Sequence, residues 1–190
     1  METRTAISYD GKKASEYDAK REGSNKWHKE NDAVASLFPE GAKTVIDVPC
    51  GTGRFFDFYS TYGLNVMGVD VSGDMLLQAR KKSQLAELRI ADVRQLPKEL
   101  TGKFDVAVCC RLTGWLDPHD LKLAIAELMR VARVAIIGIR TNPGEAFAKG
   151  KLWNHSHQHF LDCIKPHTVD ASVVFGSKGY GFYRVVRHAN

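Results

Sequence analysis

Val45-Ile46-Asp47-Val48-Pro49-Cys50-Gly51-Thr52-Gly53-Arg54-Phe55 decides the fold of this chain. The apolar run around Ile46 reads as a short buried strand, Cys50-Gly51-Thr52-Gly53 as a tight glycine turn, and the residues that follow as the start of a helix. A strand, a glycine turn and a helix in that order present free backbone N–H groups to a nucleotide-like ligand. Asp47 stands inside the apolar run, at the strand's end. A carboxylate is costly to bury there unless something meets it, and a ligand carrying positive charge is the fitting partner.

On either side, strand and helix patterns alternate. Residues 44–48 are strand-like, and residues 53–62 form a helix with a stripe of Phe55, Tyr59 and Tyr62, stopped by Gly63. Residues 66–69 are a second strand, 73–82 a second helix with Met75, Leu76 and Ala79 inward, and 88–91 a third strand. Residues 104–110 are a fourth strand, 119–132 a well-patterned helix, and 134–139 a fifth strand. After Asn142-Pro143-Gly144, a helix is expected over 154–164 with Asn154 as its N-cap. Residues 171–175 and 182–186 are two closely spaced strands that should pair antiparallel. Upstream, Trp27, Val34, Leu37 and Phe38 fall at helical spacing, and residues 1–26 read as a polar arm with one helical turn at 15–21. The expected fold is α/β: a doubly wound, seven-stranded, mostly parallel sheet with a C-terminal antiparallel hairpin and helices on both faces. Residues 1–40 form an arm and helix placed to act as a lid, and residues 41–190 form the ligand-binding domain, the whole being one globular unit.

Size and composition agree with that. The 190 residues suffice for one domain, with 44% hydrophobic and 26% charged residues. A net charge of +5 permits an acidic partner such as nucleic acid without demanding one. The cysteines Cys50, Cys109, Cys110 and Cys163 form no C-x-x-C pair, which argues against a zinc knuckle or thioredoxin-like site and fits a reduced, cytoplasmic chain. No apolar run approaches the ~20 residues of a membrane span, and the first residues lack the apolar segment of a secretory signal.

Three acids fall at strand ends: Asp47, Asp70 and Asp92. Asp70 lies about 20 residues past the glycine turn, where a carboxylate accepts both ribose hydroxyls. Asp92 is placed to accept the exocyclic amine of an adenine. A dinucleotide fold wants a small residue where Phe56 stands, and a pyrophosphate would meet Asp47 as a like charge. S-adenosylmethionine carries the same adenosine with an ammonium and a sulfonium and no phosphate, so it suits this row of acids better.

On these residues the sequence resembles the class I S-adenosylmethionine-dependent methyltransferases. Residues 45–53 match that family's first motif, Val66-Met67-Gly68-Val69-Asp70-Val71-Ser72 its second, Ala91-Asp92-Val93 its third and Phe104-Asp105-Val106-Ala107-Val108 its fourth. The resemblance implies a cofactor site formed by Asp47, Cys50, Gly51, Gly53, Asp70, Val71, Met75, Asp92, Val93 and Cys110, with Met75 against the adenine and S-adenosylhomocysteine as product. It covers roughly residues 27–140. One departure stands out: where many members place a proline and paired glycine before the fifth strand, this chain reads Arg130-Val131-Ala132-Arg133-Val134.

The acceptor side is expected after the fourth and fifth strands. Cys110 and Arg111 should line the site, with Trp115 and Asp117 in the same loop. His155-Ser156-His157-Gln158-His159 supplies base candidates, His155 and His157 foremost, together with Arg111 as catalytic candidates. On a helix His155 and His159 share a face, but no third ligand lies nearby, so no metal is expected. Tyr17 and Trp27 are candidates for closing over the cofactor, Trp27 equally for anchoring its own helix. The favoured reading is methyl transfer to an oxygen or nitrogen of a small molecule. The alternatives are an RNA or protein methyltransferase using Arg111, Arg140, Lys149 and Lys151, and a cofactor-binding protein that acts through a partner without transferring methyl groups.

Overall fold

Asp47 and Asp70 end two adjacent parallel strands, and Asp92 lies two residues past the end of the next. The computed structural model describes Tyr9, residues 11–176 and residues 179–188. Strands β1 (Thr44–Asp47), β2 (Asn65–Asp70), β3 (Glu87–Ile90), β4 (Phe104–Cys109) and β5 (Ala132–Asn142) are mutually parallel in the order β3-β2-β1-β4-β5. The hairpin β8 (Thr168–Phe175) and β9 (Tyr180–Val186) closes the other edge, β9 running antiparallel to both β5 and β8. These are the seven expected strands. Two more, β6 (Phe147–Lys149) and β7 (Leu152–Ser156), form a small antiparallel hairpin whose second strand lies parallel to the far end of β5, Thr141 opposite His155.

Helices cover both faces, as a sheet buried on both sides requires. Along β1, Val45 packs with one core and Ile46 with the other; along β5, Ile136 and Ile137 divide the same way. Helices α5 (Pro118–Val131) and α6 (His157–Ile164) cover the Ile46 face through Leu121, Ile125, Leu128 and Phe160. Helices α2 (Asn25–Leu37), α3 (Phe56–Thr61) and α4 (Gly73–Lys82) cover the other through Val34, Leu37, Phe56, Tyr59, Leu76 and Ala79. A short helix, α1 (Gly11–Ser15), precedes them in the arm.

Several expectations need correction. The helix expected over 154–164 starts at His157, with Ser156 as its N-cap, and Asn154 and His155 belong to strand β7. The reason is tertiary: Gly150 turns the chain at φ +64°, and β7 finds partners in β6 and the extended end of β5. His155 and His159 therefore share no helical face. The arm's helix lies at residues 11–15 rather than 15–21. β5 runs 11 residues because β4, β9 and β7 each pair with part of it. Where the family's proline and paired glycine are missing, α5 passes directly into β5, and the Ala132 N–H donates to the Leu128 carbonyl.

Phe56 is accommodated by missing side chains. A Cβ on Gly53, which sits at φ +75°, would lie 2.7 Å from the Phe56 ring, and one on Gly68 would lie 2.9 Å from it. The bulk that a dinucleotide turn excludes is thus taken up by glycines on the turn and on β2.

Candidate active site

The glycine turn is tied to strands on both sides. The Val48 N–H donates to the Val108 carbonyl and the Cys50 N–H to the Val69 carbonyl, each at 2.9 Å. Asp70 then locks the turn to β2: its Oδ2 accepts from the Gly51 N–H at 3.0 Å and its Oδ1 from the Ser72 N–H at 2.9 Å. Burial raises the Asp70 carboxyl, and those backbone donors oppose the rise.

Asp47 is 1% exposed, and neither of its oxygens has a hydrogen-bond partner. Burial pushes its pKa well above the ordinary carboxylate range. The Tyr59 hydroxyl, which lies outside hydrogen-bond geometry, and the Arg54 guanidinium oppose that rise. Asp47 lines neither of the two cavities that open beside the turn.

A cavity beside the turn is lined by Cys50, Gly51, Asp70, Met75, Cys110 and Arg111, and by Tyr9, Tyr17 and Trp115. The arm roofs it. Ser72 Oγ donates to the Tyr9 carbonyl at 2.9 Å, and the Gly11 N–H donates to Asp74 Oδ2 at 2.7 Å. Asp18 accepts from Thr52 Oγ1 at 2.6 Å and pairs with Lys82 at 2.7 Å. The Tyr9 ring stands edge-on to Tyr17 and to Trp115. Trp27 lies outside the lining: it is buried, with the Arg54 guanidinium 4.0 Å over its ring.

A second, larger cavity of about 580 Å³ adjoins the first. Tyr9, Tyr17, Arg111 and Trp115 line both. Between them sits a buried ionic cluster. Glu30, fully buried on α2, accepts from Arg54 Nη1 at 2.6 Å, Arg111 Nε at 2.8 Å and the Tyr180 hydroxyl at 2.5 Å. Burial pushes the Glu30 carboxyl up, yet the bonds from Tyr180, Arg111 and Arg54 outweigh it and hold the group below its ordinary value. Arg111 adopts φ +61°, the only non-glycine residue with positive φ among the described residues. Such a conformation persists only where the surroundings enforce it.

The structure therefore brings Cys50, Gly51, Asp70, Met75, Cys110 and Arg111 to one cavity. Gly53 and Val71 lie in the adjoining turns, and Asp92 and Val93 line neither cavity. Asp92 lies just past the end of β3, and both its oxygens accept from Arg94, which also reaches Asp120. His155 and His157 line neither cavity either. His155 is fully buried, its Nε2 donating to the Thr113 carbonyl at 2.8 Å, and burial lowers its pKa. His157 lies exposed at the start of α6, 3.4 Å from Thr141 Oγ1. No group of metal-ligating side chains occurs among the described residues.

Glu30 and Tyr180 were not legible as site residues. Glu30 had a signal: it leads the apolar stripe Ala33, Val34 and Leu37 at helical spacing, and an acid on a buried face asks for a partner. Tyr180 had none, because only the β9–β5 register delivers it there.

Residues 45–134 match the model of a methyltransferase domain. The match covers just under half of this chain. Over 89 residues, 47% of this chain, it is 39% identical to the malonyl-[acyl-carrier protein] O-methyltransferase of Hamiltonella defensa, spanning 33% of that protein. It is 25% identical over 148 residues to the ubiquinone biosynthesis O-methyltransferase of Xanthomonas oryzae, 71% of this chain and 62% of that one. The chain thus spans less than two thirds of either curated relative. The fold is shared with the magnesium protoporphyrin IX methyltransferase of Synechocystis, solved with bound SAM, at TM-score 0.77 and 15% identity over 97% of this chain and 95% of that one. No helix among the described residues is long and apolar enough to cross a membrane.

Proposed function

We infer that this protein transfers the methyl group of S-adenosylmethionine to an oxygen or nitrogen of a small-molecule acceptor by in-line displacement. The observation that carries this reading is the pair of adjoining cavities sharing Tyr9, Tyr17, Arg111 and Trp115: one is lined by the glycine turn, Asp70 and Met75, the residues expected to meet the cofactor, and the other gives an acceptor room beside it. That room speaks against a protein that only binds the cofactor. The names of the two curated relatives, both O-methyltransferases, support an oxygen acceptor.

In this reading Asp70 accepts the ribose hydroxyls with the lone pairs its backbone bonds leave free, and Met75 packs on the adenine. Asp92, held by Arg94, marks the adenine end of the rim. Asp47 favours the cationic methionine portion through its field. The cofactor supplies an activated methyl group. The chain's own residues position the acceptor and exclude water, and positioning alone can lower the barrier by roughly 7–11 kcal/mol. The arm, through Tyr9 and Tyr17, closes the site. Arg111, fixed by Glu30, sets the boundary between cofactor and acceptor.

Calorimetry with S-adenosylmethionine, S-adenosylhomocysteine and NAD tests the cofactor: binding of the first two and not the third is expected, and NAD binding alone would overturn the reading. Transfer from methyl-labelled cofactor to a panel of small acceptors then tests the activity.

A further inference from the structure

The second cavity has an unbalanced lining. Lys20, Arg21, Lys26, Arg111, Arg140 and Lys149 face it, and among the described residues no aspartate, glutamate or histidine does. Three of these cations are already answered: Lys20 by Glu16 at 2.6 Å, Lys26 by Glu30 at 3.7 Å and Arg111 by Glu30 at 2.7 Å. Arg21, Arg140 and Lys149 have no ion-pair partner among the described residues. Uncompensated like charges around one concavity raise its potential and concentrate anions. Part of the lining is flat and apolar: Trp115 from the turn after β4 and Trp153 and Leu152 from β7.

We propose that the acceptor is an organic anion, a carboxylate or phosphate on a flat apolar body, its charge held by Arg140 and Lys149 and its body lying against Trp115 and Trp153. The proposal rests on the methyl-transfer reading and names the acceptor class for it. The β6–β7 hairpin helps build this site: it brings Lys149 and Trp153 to the cavity that Arg140 of β5 also lines. Arg111 stands where the two cavities meet. Its Nε and Nη2 are turned to Glu30, and its Nη1 makes no hydrogen bond with any described residue. It is therefore oriented to meet an anion that approaches the cofactor. On a carboxylate the transfer needs no base. An oxygen lone pair forms the new O–CH3 bond as the S–CH3 bond breaks, the pair of the broken bond stays on sulfur, and no proton leaves. A lining without a carboxylate or imidazole suits that step.

The test is titration of the whole protein, with and without S-adenosylhomocysteine, by 2-naphthoate, 2-naphthyl phosphate, 2-naphthol and 2-naphthylmethylammonium. At least one anion should bind ten times more tightly than the neutral and cationic probes, and which anion does so separates carboxylate from phosphate. In the Arg140→Gln/Lys149→Gln double variant this preference should fall below threefold. Affinity for S-adenosylhomocysteine should stay unchanged there, because neither residue lines the first cavity. Equal binding of all four probes, or a preference that survives in the double variant, overturns the proposal. Failure to bind S-adenosylhomocysteine instead overturns the methyl-transfer reading, and the anion preference is still read on the free protein.

Discussion

The Gly51 N–H donates to Asp70 Oδ2 over 3.0 Å, so the turn after β1 and the carboxylate ending β2 are set as one unit. One side chain fixes the loop and faces the cavity. Asp70→Ala should weaken S-adenosylmethionine binding by more than tenfold, about 1.4 kcal/mol or more, and should also leave two backbone donors without their partner. Asp70→Asn keeps one acceptor oxygen and should lose less. Calorimetry on both variants measures this, and unchanged affinity in Asp70→Ala would remove Asp70 from the cofactor site.

Asp47 costs stability where it stands. Its folded-state pKa is raised by burial, so the folded protein holds the proton more tightly than the unfolded chain. The penalty is absent below the ordinary value of 3.8 and grows as pH rises through the folded pKa. Asp47→Asn should therefore be more stable than the wild type at pH 7, by on the order of 1–3 kcal/mol, with the gain vanishing in acid. Cofactor affinity should fall. Urea unfolding at several pH values checks the first point; a variant less stable at pH 7 would refute it.

Glu30 works in the opposite sense. Its pKa is held below the ordinary value of 4.5, so its contribution is complete above that pH and is lost as pH falls through the folded value. Glu30→Ala leaves Arg54 and Arg111 facing one another, and breaking such a buried pair costs about 3–5 kcal/mol. Denaturant titration should show that loss. It should also show a flatter acid limb than the wild type, which a merely smaller core would not produce.

Asp18 pins the arm by two contacts, from Thr52 and Lys82. Asp18→Ala should change global stability by less than about 1 kcal/mol, as partly exposed pairs do. It should speed cofactor release several-fold and open the arm to protease. Stopped-flow dissociation of S-adenosylhomocysteine measures the first effect, and an unchanged off-rate would deny the arm a closing role.

The alternation of β1 to β5 with their helices was legible because apolar periodicity and glycine turns are local signals. Asp47 and Asp70 at neighbouring strand ends were legible for the same reason: a parallel sheet places consecutive strand ends on one edge. The hairpin β6–β7 was not. Its residues carry a weak period-2 pattern, and β7 is a strand because the end of β5 was free to pair. The same long-range pairing moved His155 off a helix and under the Thr113 carbonyl. Arg140 and Lys149 are scattered in sequence and offered themselves only as contacts for an RNA or protein substrate; folding gathers them with Arg111 at one cavity and leaves Lys151 outside its lining.

By itself, then, the sequence determined the parallel core, the glycine turn and the acids along its rim, because spacing along a strand or helix dictates which side chains share an edge. Only the tertiary structure decided what lies opposite that edge: Glu30 from α2 and Tyr180 from β9 against Arg111, the arm over Thr52, and a basic cavity walled by a late hairpin. Those contacts join residues up to 150 positions apart. No local pattern encodes such pairings; they follow from which surfaces remain to be buried once the sheet has formed.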